Sequence, residues 1–358
     1  MKKKLLCFLI VLLICFLSAC AVAEETGNPF RKWDETAESL KTLVHYVESV
    51  TDPQSADFIP EADRIAVFDM DGTLCSERNP IYLIVRLLAR RILTDETYQP
   101  DAEVLAYGRM LRDHLLDQTL PYDLAMQYPL YEAKAYAGMT LAEYKDFVTR
   151  EIARDADGFE GMSYAEAFFL PMVEVVDYLQ DHGFNCYICS GSDRFICRVY
   201  TEGMLDIPYE NMIGTDVQLK ASNQGDADGS DYEFCDGDTL VRTDQLLVQN
   251  EKSNKVFQIV RHIGKQPVLS FGNSDGDVSM HNYTLCNNPY KSAAFMLIAD
   301  DEVRDYGNAA AAADLRKMWE ESGYTVISMA NDWKTIYGED VRKTGEFHWV
   351  EDLAEAVR

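Results

Sequence analysis

The strongest constraint on the fold is the stretch "IAVFDMDGTLC", residues 65–75, in which four apolar residues lead directly into two acids. The apolar part is typical of a buried β-strand, and Asp69 and Asp71 follow at its carboxyl end. A carboxylate at the end of a buried strand costs free energy unless cations or hydrogen-bond donors compensate it. The two acids therefore indicate a site for which other parts of the chain must supply the compensating groups.

Further apolar runs alternate with segments of helical periodicity. The runs "FNCYICS", "QPVLSFG", "AAFMLIADD" and "YTVISMA" are separated by stretches whose apolar residues recur at intervals of three and four. This alternation is typical of a parallel sheet covered by helices on both faces. The sequence therefore predicts an α/β fold with a doubly wound, Rossmann-like core. A hairpin is predicted from "NMIGTDVQL" and "YEFCDGDTLVR", on either side of an acidic, glycine-containing turn.

One block interrupts this alternation. Between residues 79 and 157, "IYLIVRLLARRIL", "AEVLAYGRMLRDHLL" and "TLAEYKDFVTREIARD" each carry apolar residues at helical spacing, and no strand pattern separates them. We expect residues 79–157 to be a helical domain inserted into the core, whose two parts are residues 33–78 and 158–358. Ahead of the core, residues 1–19 are expected to be a signal peptide and residues 20–32 a tether.

Polar residues follow three of the predicted strands. Asp69 and Asp71 follow the first, Ser190 follows the second, and "GNSDGD", residues 272–277, follows another. Ligands of open α/β sheets bind beyond the carboxyl ends of the strands, so these residues are expected to meet in one crevice. Such a set suits phosphoryl transfer, because one carboxylate can attack phosphorus and a second can carry a proton. Mg²⁺, which prefers oxygen ligands, would offset the repulsion between carboxylate and phosphate.

The order of these features resembles the haloacid dehalogenase superfamily, in its phosphoserine-phosphatase-like branch. The resemblance rests on "DMDGT" at 69–73, on the serine of "ICSGS" at 190, on a lysine ahead of a helix, and on "FGNSDGD". It implies a Mg²⁺-dependent phosphomonoesterase that hydrolyses a small-molecule phosphate ester through an aspartyl-phosphate. The helical block would then be the cap of the first type found in this superfamily.

The resemblance also implies roles for individual residues. Asp69 would be the nucleophile, and Asp71 the general acid and then the general base. Ser190-Gly191 and a lysine would bind the phosphoryl oxygens. The favoured lysine is Lys255, and Lys252 is the alternative.

Metal ligands follow from the same resemblance. They would be the Asp69 carboxylate, the Asp71 backbone carbonyl, and the residues Asn273 and Asp277 of the fourth motif. Asn273 departs from the commoner pattern, in which an aspartate follows the glycine. A neutral amide oxygen is expected to lower the metal affinity, and Asp275 is a possible substitute ligand.

The substrate is left open by the sequence. Amino-acid phosphates, phosphorylcholine and a broad range of esters are all compatible, and the "DMD" start and chain length resemble extracellular phosphorylcholine phosphatases. Glu77, shortly after the first motif, is a candidate for binding a cationic group of the substrate. Four tyrosines of the helical block are interpreted as packing residues, with an aromatic wall for a cation as the alternative: Tyr122, Tyr128, Tyr131 and Tyr136. An alternative from a different class is a catalytically weak, lipid-anchored binding protein, which only Asn273 favours.

The first residues are typical of an export signal. Three lysines precede an apolar run from Leu5 to Leu17, which is short for a membrane span. The following "LSAC" resembles a lipobox, in which Cys20 is lipidated, and cleavage after Ala23 is the alternative. We expect a cell-surface or periplasmic lipoprotein that contacts the membrane only through its lipid.

Composition excludes several other classes. The chain has 33 basic and 60 acidic residues, a formal net charge of −27, so nucleic acid is not an expected partner. Its six histidines are scattered, which argues against a zinc site. Cys186 and Cys189 are three residues apart on a predicted strand, so they are expected on opposite faces and not as a metal or redox pair. The sequence does not set the oligomeric state.

Overall fold

The computed structural model describes residues 28–77, 82–116 and 121–347. The predicted signal peptide and Cys20 lie outside these ranges. The strands are β1 (Ile65–Phe68), β2 (Phe159–Glu160), β3 (Asn185–Asp193), β4 (Met212–Ala221), β5 (Leu240–Val248), β6 (Leu269–Gly272), β7 (Ala293–Ile298), β8 (Thr325–Ser328) and β9 (Arg342–Lys343).

The α-helices fall into three groups along the chain. In the described residues ahead of β1, the chain forms α1 (Glu38–Thr51). The helices between β1 and β3 are α2 (Leu83–Leu93), α3 (Ala102–Leu116), α4 (Tyr122–Ala125), α5 (Tyr128–Ala135), α6 (Leu141–Ile152) and α7 (Leu170–Asp181). The remaining helices alternate with the later strands and are α8 (Arg194–Tyr200), α9 (Ser253–His262), α10 (Val278–Leu285), α11 (Ala309–Glu321) and α12 (Met329–Asp332).

A seven-stranded sheet forms the centre of the molecule, in the order β5-β4-β3-β1-β6-β7-β8. The strands from β4 to β8 in this order pair in parallel, and β5 pairs antiparallel with β4 at one edge. The predicted α/β fold with a mostly parallel sheet is therefore confirmed. In the middle of the sheet, Phe68 of β1 lies opposite Ile188 of β3 and Phe271 of β6. The carboxyl ends of these three strands consequently open onto the same edge.

Both faces of the sheet are covered. Ala66 and Phe68 of β1 belong to the largest apolar cluster, and Ile65 and Val67 belong to another on the opposite face. This is why the strand is apolar throughout instead of alternating. Cys186 and Cys189 divide between the same two clusters, on opposite faces as expected, and each has a free thiol.

The N-terminal boundary of the core differs from the prediction. The tether was predicted for residues 20–32, but Phe30 is only 3% exposed and packs its ring against Tyr178 at 4.7 Å. The Lys32 backbone N–H donates to the Glu174 carboxylate at 3.0 Å. Residues from Phe30 onward therefore belong to the core. Burial of the aromatic side chain stabilises the attachment of this segment, which polar side chains alone would not do.

The second hairpin strand also begins later than predicted. The segment starting at Tyr232 was assigned to it, but β5 begins at Leu240. The Asp238 carboxylate accepts hydrogen bonds from the backbone N–H groups of Asn223 and Cys235, at 3.1 and 3.0 Å. These local hydrogen bonds replace the backbone pairing of a strand and hold the segment in a turn. Aspartate side chains commonly compete with backbone pairing in this way.

None of the helices in the described part of the chain combines the length and apolar composition needed to cross a membrane.

Candidate active site

Asp69 and Asp71 lie directly beyond β1, in the middle of the sheet. The backbone N–H of Asp69 donates to the carbonyl oxygen of Phe271 at 2.9 Å, which extends the pairing of β1 with β6 by one residue. Both acids are 7% exposed. The sheet thus holds two nearly buried carboxylates at the edge where ligands of parallel sheets bind.

A glycine brings the loop after β1 into contact with the loop after β6. Gly72 has a φ of +76°, a left-handed conformation that side chains disfavour. A Cβ atom at this position would lie 2.0 Å from Nδ2 of Asn273. The close approach places Asn273 beside the two acids, and the Thr73 hydroxyl lies 3.5 Å from its Oδ1.

Lys255 compensates the acids from the first turn of α9. Its Nζ donates to Oδ1 of Asp69 at 2.7 Å and to Oδ1 of Asp277 at 2.6 Å. The lysine side chain is 2% exposed, so its charge is neutralised by these carboxylates and not by water. One ammonium group thereby serves two buried carboxylates.

The two carboxylates share this ammonium unequally. Burial raises the pKa of Asp69 well above its usual range, and the nearby charge of Asp277 adds to the effect, while Lys255 opposes it. Burial also acts to raise the pKa of Asp277, but Lys255, His281 and a backbone hydrogen bond outweigh it and hold the pKa below its usual value. A further cation beside Asp69 would supply the positive charge that the cluster lacks.

Asp71 is held by a residue that the sequence analysis did not single out. The hydroxyl of Ser192 donates to Oδ2 of Asp71 at 2.6 Å. The other oxygen, Oδ1, is buried and has no hydrogen-bond partner among the described residues. Burial raises the pKa of Asp71 to about 6, and the Ser192 hydrogen bond opposes this rise. The sequence feature that could have indicated Ser192 is its position two residues after Ser190, because side chains two residues apart on a strand point to the same side.

The segment that contains Ser190 and Gly191 leaves the regular ladder. Pairing of β3 with β4 shifts between Cys189 and Asp193, as in a β-bulge. The carbonyl oxygen of Gly191 accepts hydrogen bonds from the hydroxyls of Tyr128 at 2.9 Å and Thr215 at 2.5 Å. Residues 190–193, which we call the phosphate loop, are therefore fixed from the helical segment on one side and from β4 on the other.

Of the two acids in the loop after β6, only one reaches the site. Asp277 is fully buried, and its Oδ2 accepts from the backbone N–H groups of Asn273 and Ser274 at 3.0 and 3.2 Å. Asp275, proposed above as a substitute ligand, points outward with its side chain 72% exposed. It lies 3.6 Å from Nζ of Lys252, the alternative lysine, which is thereby also placed away from Asp69.

The remaining oxygens fit a divalent cation. The predicted ligands are Asp69, the Asp71 carbonyl, the Asn273 amide and Asp277, and both oxygens of Asp277 also accept hydrogen bonds from protein donors. Mg²⁺ accepts such a mixed oxygen set and keeps several waters. In the described ranges, no group of three or more His, Cys, Asp or Glu side chains is arranged to hold a metal ion. The predicted metal ligands instead combine carboxylate, amide and backbone carbonyl oxygens.

The sequence matches the family profile described as haloacid dehalogenase-like hydrolase from residue 66 to residue 281, more than half of the chain. The matched region begins within β1 and ends within α10, and so contains every motif described above. The chain belongs to this family. The expected superfamily is thereby confirmed, and the chain is a hydrolase by family.

Several solved structures are similar to the chain at low sequence identity. A protein of unknown function from Anaerococcus prevotii is 15% identical, with a TM-score of 0.50, over 83% of this chain and 92% of its own. A protein of unknown function from Bordetella pertussis is 16% identical, with a TM-score of 0.43, over 74% and 97%. A phosphoserine phosphohydrolase-like protein from Francisella tularensis is 15% identical, with a TM-score of 0.36, over 66% and 88%. No curated protein matches the chain significantly.

In this hydrolase, the tyrosines of the helical segment serve packing more than an open aromatic wall. Tyr136 is fully buried against Tyr144, and the ring of Tyr131 stacks on Tyr107 at 3.7 Å. The Tyr128 hydroxyl bonds to the phosphate loop, and the side chain of Tyr122 lies outside the described part. These contacts favour the interpretation of the tyrosines as packing residues.

Glu77, the candidate for binding a cationic group, lies at the rim of the site. It is partly buried, and its Oε1 accepts a hydrogen bond from the Tyr82 hydroxyl at 2.7 Å. Its charge contributes to the raised pKa of Asp71, which places the two carboxylates close to each other.

Proposed function

We propose that the protein is a Mg²⁺-dependent phosphomonoesterase that hydrolyses a small-molecule phosphate ester. The observation that carries this proposal is the Asp69 carboxylate at the end of β1, with Lys255 at 2.7 Å and Asp71 two residues along the chain. A carboxylate so placed is oriented by the lysine and flanked by Asp71, whose Oδ1 has no hydrogen-bond partner among the described residues. This pair supports covalent catalysis with proton transfer.

In the first step, a carboxylate oxygen of Asp69 attacks phosphorus and forms an aspartyl-phosphate. The bond from phosphorus to the ester oxygen breaks, and Asp71 gives its proton to the leaving alkoxide. In the second step, Asp71 takes a proton from water, the water oxygen attacks phosphorus, and Asp69 is released with inorganic phosphate. The pKa of Asp71, raised to about 6, lets this carboxyl group exchange a proton near neutral pH.

The other residues hold the phosphoryl group. The phosphate loop offers the Ser190 hydroxyl and the backbone at Gly191, and Lys255 contributes positive charge. Mg²⁺, bound by Asp69, the Asp71 carbonyl and Asn273, would supply positive charge for the transferred phosphoryl oxygens. Asp277 would position Lys255 and the loop after β6, and its remaining lone pairs would be available to the metal.

The test is a screen of phosphate monoesters with the purified protein, with and without Mg²⁺, beside the variant Asp69→Asn. We expect hydrolysis that requires Mg²⁺ and falls by at least about a thousandfold in Asp69→Asn, since no nucleophile remains. Hydrolysis that survives in the variant would contradict the proposed nucleophile. Binding of esters without any turnover would favour the alternative of a catalytically weak binding protein.

We further propose that the chain is exported as a lipoprotein anchored at Cys20. The support is the "LSAC" sequence after the apolar run of residues 5–17. Mass spectrometry of the N-terminal peptide decides this point. A diacylated Cys20 is expected, whereas an unmodified Glu24 at the N-terminus would indicate secretion after cleavage at Ala23.

A further inference from the structure

Glu251 lies between the two loops that border the proposed phosphate site. It follows β5 and precedes α9. A Cβ atom at Gly191 of the phosphate loop would lie 2.0 Å from its Oε1, and a Cβ atom at Gly276 would lie 2.9 Å from its Oε2. Any larger residue at either position would collide with this carboxylate. The two glycines thus form a space that the Glu251 carboxylate fills.

The Glu251 carboxylate lacks a protein partner. No hydrogen bond or ion pair of the described residues ends on either oxygen, although the positive charges of Lys255 and Lys252 act to lower its pKa. Burial raises its pKa, and the charges of Asp277 and Asp275 add to this effect. A partly buried carboxylate without a donor is unfavourable, so its place at the site calls for a partner that the described residues do not provide.

Negative charge is concentrated on the side of the site where the leaving group would lie. Asp71, the proposed proton donor to the leaving oxygen, has a buried Oδ1 without a partner among the described residues. The charges of Glu77 and Glu251 both act to raise the pKa of Asp71. A Cβ atom at Gly72, the residue after Asp71, would lie 3.2 Å from Cβ of Glu77. Lys255, the buried cation at this position, is already paired with Asp69 and Asp277. Among the described residues, Lys255 therefore leaves the negative charge beside Asp71 without a cation of its own.

We propose that Glu251 is a specificity-determining residue that, together with Glu77, selects phosphate esters whose leaving group carries a positive charge. This inference rests on the proposed function, because it takes the leaving group to lie next to Asp71. An ammonium group has three donors, enough to bond Glu251 and to approach the free oxygen of Asp71. Esters of small amino alcohols are the matching substrate class.

The test compares two esters of similar size, aminoethyl phosphate and propyl phosphate, in the wild type and in Glu251→Gln. Glutamine preserves the size of the side chain and removes its charge. We expect the ratio of kcat/KM for the cationic ester to that for the neutral ester to fall by roughly ten- to hundredfold. The matched control is Glu48→Gln, which neutralises an exposed acid on α1 that is distant from Glu251 in the sequence. This variant should keep the wild-type ratio.

Two outcomes would overturn the proposal. The first is an unchanged ratio in Glu251→Gln. The second is an equal loss for both esters that excess Mg²⁺ restores, which would assign Glu251 to a second metal ion.

A binding measurement separates this inference from the proposed function. Aminoethylphosphonate and propylphosphonate are not hydrolysed, so their affinities for Asp69→Asn, with and without Glu251→Gln, can be measured by calorimetry. A preference for the cationic phosphonate that disappears with Glu251→Gln supports the role of Glu251 even if no ester is turned over. If no ester is hydrolysed but the cationic phosphonate still binds more tightly, the phosphatase activity is rejected and the specificity role of Glu251 is retained. If both phosphonates bind with equal affinity, the specificity role of Glu251 is rejected.

Discussion

At the scale of single residues, the site depends on how the buried ammonium group of Lys255 is shared between two carboxylates. Lys255 contacts both Asp69 and Asp277, and the pKa values of the two acids shift in opposite directions. Because Asp277 also accepts backbone hydrogen bonds, it holds its charge more easily and fixes the lysine. Asp69 is left as the reactive carboxylate.

Replacing Asp277 with asparagine should impair this arrangement. We expect Asp277→Asn to lower kcat/KM on the order of a hundredfold, since a preorganised electrostatic contact to Lys255 is lost. The matched control is Asp275→Asn in the same loop, whose side chain is 72% exposed and should change kcat/KM by less than about twofold. Steady-state kinetics on the same ester decides between them, and similar losses in both variants would count against a positioning role for Asp277.

At the scale of elements, the site is assembled from loops at the ends of three neighbouring strands. The loop after β1 and the loop after β6 meet at Gly72 and Asn273, and the bulged end of β3 presents Ser192 to Asp71. The strands only bring these loops together. The contacts between loops then determine where each functional group lies.

Gly72→Ala should therefore reduce activity beyond its effect on stability. The new Cβ would meet Asn273 at 2.0 Å, in addition to the strain of a positive φ. Gly203→Ala is the control, because Gly203 has a similar φ of +80° but no atom within 4 Å of the new Cβ. We expect both variants to lose about 1–2 kcal/mol from backbone strain. Only Gly72→Ala should lose more than about tenfold in kcat/KM, because the new Cβ would displace Asn273 from the site. Equal kcat/KM values for the two variants would refute this role of the loop contact.

At the scale of the whole molecule, a buried ionic network joins the helical segment to the sheet. Arg242 of β5 is fully buried and donates to Asp193 of the phosphate loop at 2.9 Å. Its guanidinium lies 4.0 Å from the ring centre of Tyr144 on α6, whose hydroxyl donates to Glu132 on α5. Burial raises the pKa of Glu132 to about 8. The segment between β1 and β3 is thus attached to the phosphate loop through a buried ion pair and the polar groups that contact it.

Removal of the arginine should destabilise the entire fold. Arg242→Met would leave Asp193 buried without its cation, at a cost of about 3–5 kcal/mol. In the control Arg342→Met, the lost partner is Glu160, and both side chains are more than half exposed, so the cost should be under about 1 kcal/mol. Urea unfolding monitored by circular dichroism measures both values. Comparable free energies of unfolding for the two variants would show that the network does not stabilise the molecule.

The central strands, the two acids after β1 and the loops that form the site can all be predicted from the amino-acid sequence. These features are local, because apolar runs, helical periodicity and glycine turns can be recognised within a few neighbouring residues. Lys255 was also favoured from the sequence, but the ion pair that gives it a function joins residues 186 positions apart.

Which charged groups contact each other depends on the packing of the folded chain. Asp275 and Asp277 are alike in sequence, yet one is exposed and the other is buried beneath Lys255. Glu251 gave no sequence signal, since its role follows from two glycines on different loops. Phe30 was assigned to the tether because its contact, Tyr178, lies far along the chain. Burial and charge pairing are properties of the packed molecule, which is why local patterns did not reveal them.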